Sequence, residues 1–479
     1  MLLSCWSEGT GIGDVNFDGE INGTALRVFV STPTQRAASI RYYHEMSLRN
    51  AVITGVDFNN RNLGVSALGL SALALLAPRL KRAMTVLDYG VGTRAATADA
   101  LRHANITDPS VKVTCQGFRQ TRRLYAGDST LLAELAIRTH LPLGSPASTI
   151  RSSCAVFDAS GGDSFADIYG ATRYDRIARV KKLTLAMKCP LVLLPQTYGP
   201  FNDPAIKRDA AEITKRATCA VARDAHSYEI LKDLLGSSFD ASRHLCGTDM
   251  AFRLPTISPP SEALDVVTSA RTLAAGAAVV GFNISGLLAN DPASWSAYGF
   301  KDNYLDTCCK VVTRLLQGGA GAVVLLPHVL GDEHSSSECD IAASKTLQER
   351  LAPALRNCVL IAKGYRYPTE AKAIIQHFDW FSGSRLHAPI GALSKGVPTA
   401  TIAYSDKAKG IFEACGVGDT VADPRVLSGD AVVEHQLNSF ANRAQSKAAL
   451  AARLPMMLQT VDSEMDSIVA LLTHEQRKK

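Results

Sequence analysis

The feature that most restricts the fold is a repeated unit: a short, wholly apolar run, then a glycine-rich or polar turn, then a helical stretch. The run 51–56 (AVITGV) opens the first unit, 58–64 forms its turn, and an apolar stretch over 63–76 reads as a helix that Pro78 is expected to end. Further strand-like runs stand at 84–88, 153–158, 191–195 and 219–223. Runs this short, apolar on both alternating faces, suit strands buried on both sides of a parallel sheet, with the intervening helices covering it.

After Asp249 the rhythm breaks into LPTISPPSEA, a Pro- and Ser-rich passage that suits a linker. A second series then begins with runs at 277–284, 321–327, 359–362, 380–382 and 399–403. The expected fold class is therefore α/β: two doubly wound parallel-sheet (Rossmann-like) domains facing a cleft. Their expected bounds are 49–255 and 275–425, after an irregular leader at 1–48 and before a C-terminal helical segment at 426–479. In such sheets ligands sit outside the carboxyl ends of the strands.

Composition narrows the function. With 46% apolar and 20% charged residues, the 479-residue chain has ordinary globular usage, which excludes wholesale disorder, collagen and coiled coil. The excess of 51 Lys+Arg over 45 Asp+Glu, +6 in all, is too dilute for a protein that coats nucleic acid, so no nucleic-acid partner is expected. Eleven cysteines without a C-x-x-C pair point to reduced thiols and no zinc site. The longest apolar run, 63–77, is shorter than the roughly 20 residues of a membrane span and reads as a buried helix. No basic segment precedes an apolar one at MLLSCWSEGTGIGD, so a cytoplasmic, non-transmembrane protein is expected.

Two motifs are weak. Residues 13–26 mimic a calcium loop through Asp14, Asn16, Asp18, Gly19 and Ile21, but its twelfth position is Ala25 and lacks the bidentate carboxylate. Residues 86–93 (VLDYGVGT) resemble the first motif of S-adenosylmethionine methyltransferases; Arg94 stands where a third glycine belongs, and a strand-to-loop turn is the better reading. No cofactor is expected from either.

Stronger signals lie at strand ends. DASGGDSFAD (158–167) offers tight glycines with Asp163 and Asp167. LLPQTYGPF would set Gln196, Thr197 and Tyr198 at the cleft edge, and ARDAHS places Arg223 at a strand end with Ser227 four residues on. The sharpest stretch is SGSRLHA, where Ser384, Arg385, Leu386 and His387 lie between a strand and a helix, followed by YSDK with Lys407. A guanidinium grips a carboxylate or phosphate at two points, so this cluster suits a small multivalent anion.

In this order, G-G-D-S-F-x-D, P-Q-T-Y-G-P, A-R-x-x-x-S, D-x-A-F (249–252), L-P-H with an Asp nearby (His328, Asp332), S-R-L-H-A and G-V-P with Y-x-D-K resemble the polysaccharide pyruvyl transferase family over roughly residues 50–420. The resemblance implies a glycosyltransferase-B-like fold and a transferase that moves the pyruvyl group of phosphoenolpyruvate, the donor substrate, onto two hydroxyls of a sugar to give a pyruvate ketal. The acceptor would be a glycan of polysaccharide or exopolysaccharide biosynthesis, in polymer, precursor or lipid-linked form, with peripheral membrane contact in the last case. No metal is implied. Donor binding would fall on Arg223, Arg385 and His387, with Ser384, Leu386 and Lys407 as further substrate-binding positions. Proton transfer would fall on His387 or His328, titrating near neutrality, with Asp163 activating a hydroxyl. Two departures stand out: Asn62-Leu63-Gly64-Val65 lacks the Asp of the family's N-x-G-D turn, and Ser160 replaces the first glycine of G-G-G. The alternatives are a nucleotide-sugar-dependent glycosyltransferase and an inactive binding subunit of the same fold.

Overall fold

The computed structural model describes residues 49–479 except 59, 120, 124–125, 292, 333–336 and 479. The leader 1–48, with its calcium-like loop, lies outside the described residues. Two sheets organise the rest. The first has the order β3-β4-β2-β1-β5-β6-β7-β8, built from β1 (Ala51–Thr54), β2 (Met84–Asp88), β3 (Thr93–Ala95), β4 (Val113–Gly117), β5 (Ala155–Asp158), β6 (Leu191–Gln196), β7 (Cys219–Ala222) and β8 (His244–Cys246). All its pairings are parallel except β3 against β4. The second, wholly parallel sheet has the order β11-β10-β9-β12-β13-β14, from β9 (Ala278–Asn283), β10 (Ala320–Leu325), β11 (Val359–Ile361), β12 (Trp380–Gly383), β13 (Thr399–Ile402) and β14 (Val421–Ala422). The two doubly wound domains expected from the sequence are present.

In each sheet the winding reverses once. In the first it reverses between β1 and β5, whose neighbours β2 and β6 lie on opposite sides; in the second, between β9 and β12. The loops leaving these strands splay apart and open a crevice, the place where doubly wound sheets bind ligands.

The helix Leu63–Leu80 enters the seam between the domains. Asn62 caps it, its side chain accepting from Gly64 N at 3.0 Å. Leu63 joins the apolar core of the second domain, and most of the helix is buried. It is the only described helix long and apolar enough to cross a membrane, and burial inside the protein accounts for its apolarity. Pro78 does not end it. The helix runs one further turn to Leu80, and Lys81 closes it in the left-handed region with its N–H on Ala77 O.

The linker also differs in extent. Residues 254–260 are irregular, but the helix Ser261–Ala274 contributes Ala263, Val267, Ala270 and Ala274 to the second domain's core, so that domain begins at 261 and not at 275. At the other end, the helix Gly429–Ala441 supplies Val432, Val433 and Phe440 to the second domain. The helix Arg443–Lys478 returns to the first, where Arg79 Nε donates to Asp466 Oδ1 at 2.8 Å and Arg253 pairs with Asp462.

Candidate active site

The eight residues singled out in the sequence, Asp163, Arg223, His328, Ser384, Arg385, Leu386, His387 and Lys407, all line one hollow of about 180 Å³ between the domains. Its walls come from the loops after β1, β5, β9 and β12, the two reversal points, and from those after β7, β10 and β13, which carry Arg223, His328 and Lys407. Local chemistry explains each placement.

Arg223 leaves β7 and is aimed from behind: Nη1 donates to Asp249 Oδ2 at 2.9 Å, with both side chains almost fully buried. Asp249 also caps the turn Met250–Arg253 through Ala251 N. The spacing A-R-x-x-x-S has a structural reason. Asp224 caps the helix Ala225–Leu235 by accepting from Ser227 N at 2.8 Å and Ser227 Oγ at 2.9 Å, which fixes the bend just after Arg223.

Arg385 is oriented by Asp340, a carboxylate without solvent exposure. Its Nε and Nη2 both donate to Asp340 Oδ1 at 3.1 Å, and Nη2 reaches Glu338 O at 2.8 Å. Asp340 further accepts from the backbone N–H groups of Gly286, His328 and Val329, tying the loops after β9 and β10 together. Arg385 N donates to Asn283 Oδ1 at 3.0 Å, and Ser384 Oγ accepts from Tyr304 Oη at 2.7 Å. Asp332, the carboxylate expected to accompany His328, does not line the hollow; Asp340 takes that place.

His387 begins the helix His387–Leu393 and crosses the cleft to groups of the first domain. A Cβ on Gly64 would stand 2.7 Å from its Nδ1, so only glycine admits the ring there. Its Nε2 lies 3.9 Å from Asp249 Oδ2 and has no hydrogen-bond partner among the described residues. Gly162, at φ +85°, lets Arg223 and His387 approach from the other side. Lys407 spans the domains, its Nζ donating to Asp163 Oδ2 at 2.6 Å and to Tyr169 Oη at 3.0 Å, while Tyr169 Oη donates to Asp163 Oδ2 at 2.9 Å.

Protonation differs from the sequence expectation. Burial pushes the His328 imidazole down to about 3, helped by the neighbouring His387 and Arg385. Burial also lowers His387, against the pull of Asp249. The His328 ring is thus held neutral near neutrality in the free protein, and His387 is shifted in the same direction. Burial raises the Asp163 carboxyl, but the Lys407 ammonium, its hydrogen bond and Arg223 outweigh burial and hold it at about 2, so Asp163 is a poor base while that ion pair stands.

Gln196, Thr197 and Tyr198 are not at the cleft edge. They are buried beneath it, with Thr197 N donating to Gly162 O at 2.8 Å. Asp167 caps a loop outside the hollow, accepting from Asp203 N at 2.7 Å. The methyltransferase-like segment is a turn, in which Asp88 accepts from Gly90 N at 2.8 Å and pairs with Arg94. The structure adds Tyr169, Arg173, Tyr298, Glu338 and Tyr404 to the lining. Tyr169 lies two residues beyond the glycine-rich stretch 158–167, and proximity to Asp163 is the only sequence signal it carried.

The sequence model of the polysaccharide pyruvyl transferase family matches residues 78–406, more than half of the chain. The chain belongs to that family of transferases. Among solved structures it is similar to the α,α-trehalose 6-phosphate synthase of Burkholderia multivorans, with 10% identity and a TM-score of 0.52, over 90% of this chain and 99% of that one. It is likewise similar to Anabaena HepE in complex with UDP and glucose, with 13% identity and a TM-score of 0.51, over 88% and 99% of the two chains. A putative UDP-N-acetylglucosamine 2-epimerase of Listeria monocytogenes matches with 10% identity and a TM-score of 0.51, over 85% and 91%. These likenesses define the fold, that of the GT-B glycosyltransferases.

Proposed function

We propose that the protein transfers the pyruvyl group of phosphoenolpyruvate to two hydroxyls of a sugar, giving a cyclic ketal and phosphate. One observation carries this reading: Arg223, Arg385 and Lys407, from strand ends of both domains, converge with the unpartnered Nε2 of His387 on a hollow of only about 180 Å³. Ligand pockets for larger molecules run to roughly 300–1,000 Å³. A small trianion fits this hollow, and a nucleoside diphosphate sugar exceeds it.

The residues divide the work. The two guanidiniums grip carboxylate and phosphate where little water competes. The donor's negative charge draws a proton onto His387, which passes it to the terminal CH₂ carbon as one acceptor hydroxyl bonds to the adjacent carbon. Asp163 takes that hydroxyl's proton once Lys407 has turned to the phosphate. Phosphate leaves with the electrons of its C–O bond, and the second hydroxyl attacks the resulting oxocarbenium carbon, giving its proton to the departing phosphate as the ketal closes.

The test is thermal unfolding with phosphoenolpyruvate, which at about 100 times Kd stabilises by roughly 2.7 kcal/mol. It is paired with phosphate release in the presence of glycan acceptors. His387→Gln is expected to keep its fold and lose about 10² to 10⁴ in rate, the usual worth of positioned proton transfer. No thermal shift at millimolar phosphoenolpyruvate, or a His387→Gln enzyme as fast as its parent, overturns the reading.

A further inference from the structure

A second hollow, of about 720 Å³, opens beside the first. The wall between them is the backbone bridge of Asn62 with Val329, where Leu63 N donates to His328 O at 3.0 Å and Leu330 N to Arg61 O at 2.7 Å. Asn62 and His328 face the small hollow, whereas Arg61 and Leu330 face the large one. Both domains contribute to it.

Its lining is one-sided in charge. Arg61, Lys345, Lys363 and Arg366 line it, and no Asp or Glu does. Among the described residues, the side chains of Arg61, Lys363 and Arg366 make no hydrogen bond and no ion pair. This contrasts with the small hollow, where Arg223, Arg385 and Lys407 each face a carboxylate. Three unpaired cations around one hollow repel one another, and an occupant with at least two negative charges relieves that repulsion. Two of the three are arginines, whose planar forks match phosphate oxygens. The floor is apolar: Leu330, Ile341 and Ile361 lie with the ring of Tyr367, which is fixed by stacking on His103 at 3.9 Å. The occupant therefore carries its charge beside an apolar or planar body.

We propose that this hollow binds a diphosphate-linked sugar, with the diphosphate on Arg61, Lys363 and Arg366 and the carrier group on the apolar floor. A diphosphate diester carries two negative charges and an organic group on each side, which answers both halves of the lining, and the volume lies within the range for such ligands. That the bound sugar serves as the acceptor, presented at the seam next to the donor hollow, rests on the reading of that hollow as a pyruvyl-donor site; the binding itself does not.

Isothermal titration of the full-length protein tests this. UDP-N-acetylglucosamine supplies a nucleotide carrier, farnesyl-diphosphoryl-N-acetylglucosamine a lipid carrier, and N-acetylglucosamine is the neutral control. One of the two diphosphates is expected to bind, which identifies the carrier. The exposed triple variant R61S/K363S/R366S is expected to weaken it roughly tenfold or more, the worth of one or more charge-assisted contacts, while leaving the thermal shift by phosphoenolpyruvate unchanged. Equal affinity in parent and variant, absence of binding at about 1 mM, a limit of roughly −4 kcal/mol, or binding as tight by the neutral sugar overturns the proposal. Affinity for the nucleotide sugar that falls with Arg385→Lys but not with the triple variant also overturns it, in favour of a nucleotide-sugar donor in the small hollow. Diphosphate binding without any phosphoenolpyruvate shift would leave this site standing and remove the pyruvyl-transfer reading.

Discussion

Lys407→Met isolates a contact that ties the two domains across the small hollow. Its magnitude follows from Asp163, whose carboxyl is held at about 2 against an ordinary 3.8. The difference is about 1.8 pH units, or roughly 2.4 kcal/mol at 1.36 kcal/mol per unit. Burial acts the other way, so losing the ammonium removes at least the larger part of this. Lys407 and Asp163 have side-chain exposures of 9% and 26%, so solvent screening reduces the figure only modestly. Because the folded-state value lies below the unfolded one, this stability is fully present above about pH 3.8 and is lost as pH falls through about 2. Urea unfolding of the parent, Lys407→Met, Asp163→Asn and the double variant is expected to show a coupling of about 2 kcal/mol at both pH 7 and pH 5, and less at pH 3.5. A coupling below about 0.5 kcal/mol at pH 7, the level of an exposed pair, would refute the claim that this ion pair holds Asp163 down and the cleft together.

Three further outcomes are expected. Arg385→Lys should weaken phosphoenolpyruvate binding tenfold or more, roughly the loss of one charge-assisted contact, since a lysine cannot engage Asp340 and a donor at once; unchanged titration would make Arg385 purely structural. His328, held at about 3, refuses the proton that an unfolded chain accepts below about 6.5, so it costs the fold about 2 kcal/mol by pH 5. His328→Asn should flatten that part of the stability-against-pH curve, and an unaltered slope counts against it. Ser160→Gly frees a residue strained at φ 48° but leaves buried Lys181 and Asp158 each without the Ser160 hydroxyl, at 2.7 and 2.6 Å. Charge-assisted bonds of about 1.5–3 kcal/mol outweigh about 1–2 kcal/mol of strain, so melting should fall, and a rise would reverse the balance.

What the sequence disclosed depended on how local each cause was. The central strands were legible because burial on both faces leaves a run that is apolar up to its last residue, as in Leu191–Gln196 and Ala278–Asn283. β3 and β8 were missed because they lie at sheet edges and are partly exposed, and β4 because Thr114 and Gln116 interrupt its apolar run. Arg223, Arg385 and His387 could be found because they directly follow strand tips, where the chain must enter the crevice. Asp340 could not, since it opens a helix twelve residues after His328 and its role comes from three loops meeting in space. The nearer Asp332 does not line the hollow. The downward shift of His328 and His387 was equally hidden, for burial is a property of the closed cleft and not of the motif.

The departures from the family pattern clarify how the site holds charge. With Asn62 capping the helix, no carboxylate is needed for that purpose at Val65, which instead presents an apolar side chain to the hollow. Four carboxylates stand at or near it, each matched by a cation: Asp249 by Arg223, Asp340 and the more exposed Glu338 by Arg385, and Asp163 by Lys407. An entering anion must compete for these cations, and the pairs are unequal. Asp249 and Asp340 have no exposure, so separating either from its arginine would strand a buried charge, at a cost of about 3–5 kcal/mol. Asp163 retains 26% exposure and the Tyr169 hydroxyl, so water and a neutral donor can stabilise it when Lys407 turns away. On the proposed reading the arginines would meet an anionic donor while still anchored, and Lys407 would be the cation that changes partner. That exchange would lift the restraint on Asp163 only when an anion has arrived, and so would confine the proposed action of Asp163 as a base to the occupied site.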